Sequence, residues 1–153
     1  MKTKATDSVK SLKRLVDNGK LVDARMQCES CGGRKNRGRD RFCSVQCQKN
    51  TEYLEYIKKW KSGKVSGVKA DGVLSGHVRR YLIASAKERC SECGWSKRNP
   101  VTGLVPLEID HIDGNHRNNR PRNLKVLCRC CHALTPTYGS LNNGFGRKLR
   151  YAK

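Results

Sequence analysis

Little in this sequence could build a large apolar core. Only 36% of its 153 residues are hydrophobic and 6% are aromatic, with two Phe and two Trp in all. A domain of about 60 residues buries only around 60% of the surface its unfolded chain exposes, so a chain this poor in apolar residues needs cross-links or metal. No apolar run approaches the roughly 20 residues of a membrane span. The first 25 residues are polar, with lysines at positions 2, 4, 10, 13 and 20 and no apolar signal segment. A cytoplasmic chain without a membrane anchor is therefore expected. Acidic residues are also scarce: 13 Asp and Glu face 33 Lys and Arg, a formal charge of +20.

That excess attracts polyanions and speeds their association, which makes nucleic acid the first candidate partner. A membrane surface is the rival, but no strongly amphipathic basic helix supports it. Cysteine, by contrast, is plentiful, with nine residues. In an unsecreted chain, paired Cys-x2-Cys spacings argue for bound metal over disulfides.

Eight of the nine fall into two sets. Cys28 and Cys31 are followed, after eleven residues, by Cys43 and Cys47. Cys90 and Cys93 are followed, after 34 residues, by Cys128 and Cys131. Four thiolates from two turns can close a tetrahedral zinc site, so two structural Zn2+ ions are expected. Gly32 and Gly33 free the first turn, and Ser44 is placed to cap a helix carrying Cys47 in its first turn. This first set resembles a treble-clef finger. Cys130 is the odd cysteine: a spare thiol, or a substitute for a neighbouring ligand. Between Cys31 and Cys43 lie Arg34, Lys35, Arg37, Arg39 and Arg41, either a loop that contacts nucleic acid or a solubilising one.

The rest of the chain divides around these sets. Residues 1–26 read as a basic helix, or a helix and turn, with Val9, Leu12 and Leu15/Val16 at helical spacing and Asn18-Gly19 as a stop. The zinc finger with its helix takes 27–61. Tyr53, Ile57 and Trp60 share a face of that helix, and Glu52 and Glu55 precede Lys58, Lys59 and Lys61 in the order the helix dipole favours. Residues 62–74, with three glycines, read as a linker and 75–153 as a second domain. A helix is expected over 76–89, with His77 on the surface or in a cap. The tail carries Arg147 and Lys148, suited to phosphate neutralisation or simply frayed.

The chemistry concentrates between Leu104 and His132. Leu107 and Ile109 alternate with Glu108 and Asp110 in a strand pattern, Asp113-Gly114 marks a turn, and Leu124, Val126 and Leu127 form a second strand. A helix follows from about Arg129. An Asp-His pair (Asp110, His111), a carboxamide (Asn123) and a second imidazole (His132) sit in this zinc-framed strand–strand–helix unit. Structural zinc contributes on the order of 10 kcal/mol or more to such a fold. The constellation suits metal-dependent phosphodiester chemistry.

These residues resemble the HNH endonuclease family, with its ββα-metal (His-Me finger) fold. The likeness runs over roughly residues 76–148: Arg-Arg-Tyr-Leu-Ile, Cys-Ser-Glu-Cys-Gly-Trp, Leu-Glu-Ile-Asp-His-Ile-Asp-Gly-Asn, Arg-Asn-Leu-Lys-Val-Leu-Cys and Cys-His-Ala-Leu-Thr-Pro-Thr-Tyr-Gly. The family's three name-giving residues match His111, Asn123 and His132. Cys130 departs from the family, standing where a non-cysteine is usual. Within the family the chain is similar to freestanding phage nucleases related to homing endonucleases.

The resemblance implies an α+β fold: a zinc-stabilised ββα-metal domain preceded by a small treble-clef-like finger and basic helices. It also implies a metal-dependent nuclease that nicks or cuts double-stranded DNA. His111 would be the general base, and Asp110 and His132 ligands of a catalytic Mg2+ or Mn2+. Asn123 would tie strands and loop together and help orient the base. Adjacent strand residues face opposite sides, so a bend is expected between Asp110 and His111. The alternatives are a non-catalytic zinc-dependent DNA-binding protein and a phage DNA-packaging accessory factor; the joint presence of the four site residues speaks against the first.

Overall fold

The computed structural model describes residues 14–17, 20–70 and 72–142, and side chains from residue 25 onward. Residues 1–13 of the expected N-terminal helix, and Arg147 and Lys148, lie outside the described residues. Packing divides the chain into two compact units, Met1–Tyr53 and Leu54–Lys153.

The described residues of the first unit begin with a pair of strands where a helix is expected. Strands β1 (Arg14–Asp17) and β2 (Lys20–Asp23) pair antiparallel, Leu15 opposite Val22 and Val16 opposite Leu21. The correction has a simple cause. Asp17 pairs with Lys20, so two residues connect the strands. Their sequence, Asn-Gly, is the strongest signal for a two-residue hairpin as well as for a helix stop. A single 3-10 turn (Ala24–Met26) leads into the first cysteine turn.

Helix α1 (Val45–Lys61) spans the expected residues. The Ser44 hydroxyl accepts the Cys47 N–H at 3.2 Å, satisfying one of the free donors of the first turn. Ile57 and Trp60 are buried, whereas Leu54 is 64% exposed.

The second unit contains the end of α1, helix α2 (Gly76–Ser85), strands β3 (Leu107–His111) and β4 (Leu124–Cys128), and the short helix α3 (Arg129–Ala133). Ser75 caps α2 by accepting the His77 N–H at 3.3 Å, and His77 rests against Tyr56 with ring centroids 5.4 Å apart. The helix stops four residues before the expected end. Lys87 and Glu88 both take left-handed backbone (φ 52° and 53°), which L residues adopt at a cost and which turns the chain into the knuckle at Cys90.

Strands β3 and β4 pair antiparallel with His111 opposite Leu124 and Leu107 opposite Cys128. Their inner residues Leu107, Val126 and Leu127 form the core with Cys90 and Cys128, and Leu82, Ile83 and Trp95 pack around it. Arg79 of α2 donates to the Leu107 carbonyl at 2.8 Å.

The glycine-rich segment 62–74 carries structure of its own. Gly67 has φ +77°, and a Cβ placed there would lie 2.6 Å from the Trp60 indole nitrogen. Only glycine permits that approach. The indole N–H in turn donates to the Asn119 carbonyl at 2.8 Å.

Candidate active site and metal centres

Both cysteine sets converge. Cys28, Cys31, Cys43 and Cys47 form one cluster and Cys90, Cys93, Cys128 and Cys131 the other, each with its sulfurs within 4.8 Å of one another. The two are built alike. In each knuckle the first Cys N–H is bonded two residues beyond the second Cys (Cys28 to Gly33, 2.8 Å; Cys90 to Trp95, 2.9 Å). The glycine after the second Cys has positive φ (Gly32 +72°, Gly94 +71°). The other pair sits at the start of a helix, α1 or α3.

Neighbouring sulfurs lie 3.7 Å (Cys31–Cys43), 3.5 Å (Cys43–Cys47) and 3.8 Å (Cys93–Cys128) apart. A tetrahedral ion with Zn–S near 2.3 Å separates its sulfurs by about 3.8 Å. The donor set and spacing therefore fit Zn2+. Charge supports the fit. Burial opposes ionisation of Cys28, but N–H donors of Cys31, Cys43 and Ser30 outweigh it and bring the thiol down to about 6. Cys43, its proton held among Cys47, Cys31 and Cys28, is pushed up to about 12. Cys90 behaves like Cys28, brought to about 6, and Cys131 like Cys43, raised chiefly by Cys93 and Cys128. One thiolate forms readily in each cluster; four together require a cation. Cys130 is exposed, and the cluster takes Cys131 instead.

Between the second cysteine cluster and the loop lies the predicted constellation. Alternation along β3 puts Glu108 and Asp110 on one face, and His132 of α3 reaches both. Its Nδ1 lies 2.6 Å from Glu108 Oε2 and its Nε2 3.4 Å from Asp110 Oδ1. Donation from Nδ1 to Glu108 leaves the Nε2 lone pair beside the Asp110 carboxylate. For bonds near 2.1–2.2 Å, two neighbouring donors stand about 3.0–3.1 Å apart on an octahedral cation and about 3.5 Å apart on a tetrahedral one, a range that brackets the observed 3.4 Å. Asp110 and His132 thus fit as two ligands of a divalent ion, with Glu108 fixing the imidazole from behind. His132 holds the Glu108 carboxyl below its usual range, against a smaller opposing effect of burial. Tyr138 meets the His132 ring edge-on at 5.1 Å.

His111 is the next residue on the strand, and it faces the other way. The expected bend at Asp110–His111 is absent: pairing with β4 continues without a break through His111, and the turn begins only after it. The His111 Nε2 lies 2.9 Å from Asn119 Oδ1. Asn119 is 3% exposed, and its Nδ2 donates to the His116 carbonyl at 3.2 Å. That bond turns the amide oxygen toward His111, so Nε2 carries the proton and Nδ1 keeps its lone pair.

The Asn123 carboxamide is hydrogen-bonded to the loop and not to His111. Its Oδ1 accepts the Asp113 N–H (3.1 Å), while Nδ2 donates to Asp113 Oδ1 (2.8 Å) and the Asn118 carbonyl (2.7 Å). It ties strand to loop. Burial opposes the charge of Asp113, but donors from Asn118, Asn115 and Asn123 overcome it and lower its carboxyl.

Sequence reasoning missed Glu108 and Asn119 as site residues. Glu108 was visible as the residue two before Asp110 on the same strand face; Asn119 lies in an irregular loop with no periodicity to mark it.

In the finger loop, Arg34, Arg37 and Arg39 are exposed. Lys35 is 6% exposed, its ammonium turned inward onto the Asp40 carbonyl. Arg41 grips Glu29 through two bonds of 3.0 and 2.8 Å. Among the described residues, no helix is long and apolar enough to cross a membrane.

No protein-family model matches the chain. No solved structure matches it either. Over 92 residues, 59% of its length, the chain is 46% identical to the H-N-H endonuclease F-TflIV of Escherichia phage T5, and it spans 40% of that protein. By this likeness and by its two four-cysteine clusters, the chain resembles the HNH endonucleases, as its residues had indicated.

Proposed function

We propose that this protein is a metal-dependent endonuclease that hydrolyses phosphodiester bonds of double-stranded DNA to 5′-phosphate and 3′-hydroxyl ends, acting in the cytoplasm. The observation that carries the reading is the pairing of Asp110 Oδ1 with His132 Nε2 at 3.4 Å, next to an imidazole held on the opposite strand face. The likeness to a phage HNH endonuclease supports it.

Asp110 and His132 hold Mg2+ or Mn2+, and Glu108 keeps the His132 lone pair turned toward that ion. A bound divalent ion supplies polarisation of the phosphoryl oxygen and stabilises the leaving 3′ oxygen. His111 Nδ1 takes the proton of the attacking water; Asn119 keeps the other ring nitrogen protonated, so the acceptor is always presented. A neutral imidazole with a free ring nitrogen suits that task. Because β3 ends at His111, a phosphate lying across the strand end meets both faces. Asn123 serves the loop rather than the proton. Arg34, Arg37 and Arg39, with Arg147 and Lys148, neutralise backbone phosphates, while Lys35 and Arg41 brace the finger loop. The two cysteine clusters hold structural zinc and take no part in the chemistry. One such site per chain predicts nicking.

Supercoiled plasmid with Mg2+ or Mn2+ provides the test. The wild type is expected to convert it to open circles and Asp110→Asn to leave it supercoiled. A wild type that binds the plasmid but leaves it intact sinks the enzymatic reading in favour of a binding protein.

A further inference from the structure

The second unit holds a basic cleft apart from the metal ligands. It encloses about 480 Å³ between the end of α1 and the turn before β4, with Trp60, Lys61, Asn119, Arg120 and Arg122 in its wall. No carboxylate lines it among the described residues. Both arginines are exposed, and neither has an ion-pair partner among the described residues. Elsewhere in this unit, Arg98, Lys125 and Arg129 are each matched with a glutamate. Leaving two adjacent guanidinium groups unmatched keeps net positive charge in a concave site, where field lines converge.

The cations stand on a fixed base. Pro121 sits between the arginines at the start of a 3-10 turn, which limits the backbone freedom of that segment. Asn119, just before Arg120, is anchored twice: its carbonyl by the Trp60 indole at 2.8 Å, and its carboxamide by His111 at 2.9 Å. Lys61 is steadied by Tyr81, whose hydroxyl accepts from Nζ at 3.0 Å. A guanidinium fork recognises a phosphate through paired N–H donors, and preorganisation reduces the entropy lost on binding.

We propose that Arg120 and Arg122, assisted by Lys61, form a phosphate subsite for the DNA backbone, built on the same loop that positions His111. The subsite rests on the endonuclease reading and adds to it a handhold for a flanking phosphate. The cleft grips backbone and carries no base readout, so its contribution is independent of sequence.

Binding of a short duplex by the full chain, in a non-cleaving Asp110→Asn background that keeps His111 and its bond to Asn119, measures this over a series of salt concentrations. Each phosphate contact contributes about 0.9 to the slope of log affinity against log salt. Adding Arg120→Ala/Arg122→Ala is expected to lower the slope by about 2 and weaken binding about 10- to 30-fold near 0.15 M salt. Arg120→Lys/Arg122→Lys keeps the charge and most of the slope.

The control is Arg89→Ala/Lys97→Ala, which removes the same charge from exposed positions outside the cleft. Its slope is expected to change by less than half as much. Zinc content and far-ultraviolet circular dichroism confirm folding of each variant. Equal losses in cleft and control variants, or none in the cleft variant, overturn the subsite while leaving the endonuclease reading intact. A parent that does not bind the duplex at all overturns both.

Discussion

Glu108→Ala is the most informative single change, because Glu108 touches neither the proposed water nor the ion. Its Oε2 holds His132 Nδ1 at 2.6 Å, and Arg129 binds the other carboxylate oxygen at 3.2 Å. Carboxylates that orient a metal-binding histidine typically account for 10- to 100-fold in metal affinity, about 1.4–2.7 kcal/mol. The Glu108 side chain is 36% exposed, so water screens the interaction and the lower end applies. We expect roughly tenfold weaker Mn2+ binding, read by calorimetry or by electron paramagnetic resonance of free Mn2+. The zinc clusters should remain filled, and Glu108→Gln should recover part of the loss because its amide oxygen can still accept. Unchanged Mn2+ affinity in Glu108→Ala would refute the carboxylate–histidine arrangement. Loss of zinc together with Mn2+ would show that the variant had disturbed the frame instead.

Three further outcomes follow from the geometry. Asn119→Ala removes the hydrogen bond that fixes the His111 tautomer; at about 1.4 kcal/mol this predicts roughly tenfold slower cleavage, with two mixed tautomers in imidazole 15N spectra, and an unaltered wild-type spectrum would count against it. Stripping zinc with a strong chelator should unfold both cysteine-framed regions, because zinc-binding energy is folding energy here; a melting curve indifferent to chelation would contradict the structural role. Asp113 has a lowered carboxyl pKa, so its stabilising contribution is present above the unfolded value near 3.8 and disappears as pH falls through the lower folded one. The stability difference between wild type and Asp113→Asn should therefore begin to shrink as pH falls below about 4 and be gone only beneath the lower folded value, and a difference constant from pH 7 to pH 2 would show that the carboxylate is not what braces the loop.

The parts of the fold that were legible in the sequence are those written in short-range chemistry. Ser44 and the Glu-before-Lys order mark both ends of α1, and the alternation Leu107, Ile109 against Glu108, Asp110 marks β3. The cysteine spacings pick out the eight sulfurs that converge. Signals with two physical readings went astray. Asn18-Gly19 ends a helix as readily as it turns a hairpin, and Leu15/Val16 satisfy either period. The end of α2 depended on left-handed backbone at Lys87 and Glu88, residues with no preference for it. Asn119 and Glu108 acquire meaning only from their partners, His111 and His132, which lie 8 and 24 positions away. Lys35 could not be told from its cationic neighbours, since nothing local shows that Asp40 draws it inward.

The division of labour at β3, with the ion on the Asp110 face and the proton acceptor on the His111 face, is open to a direct measurement. Single-turnover cleavage of an end-labelled duplex with Mn2+, compared between wild type and His111→Ala, isolates the proton acceptor. The variant is expected to cleave at least about 100-fold more slowly, the usual scale of general-base catalysis, with Mn2+ and duplex binding both retained. A variant that cleaves as fast as the wild type would contradict that division of labour.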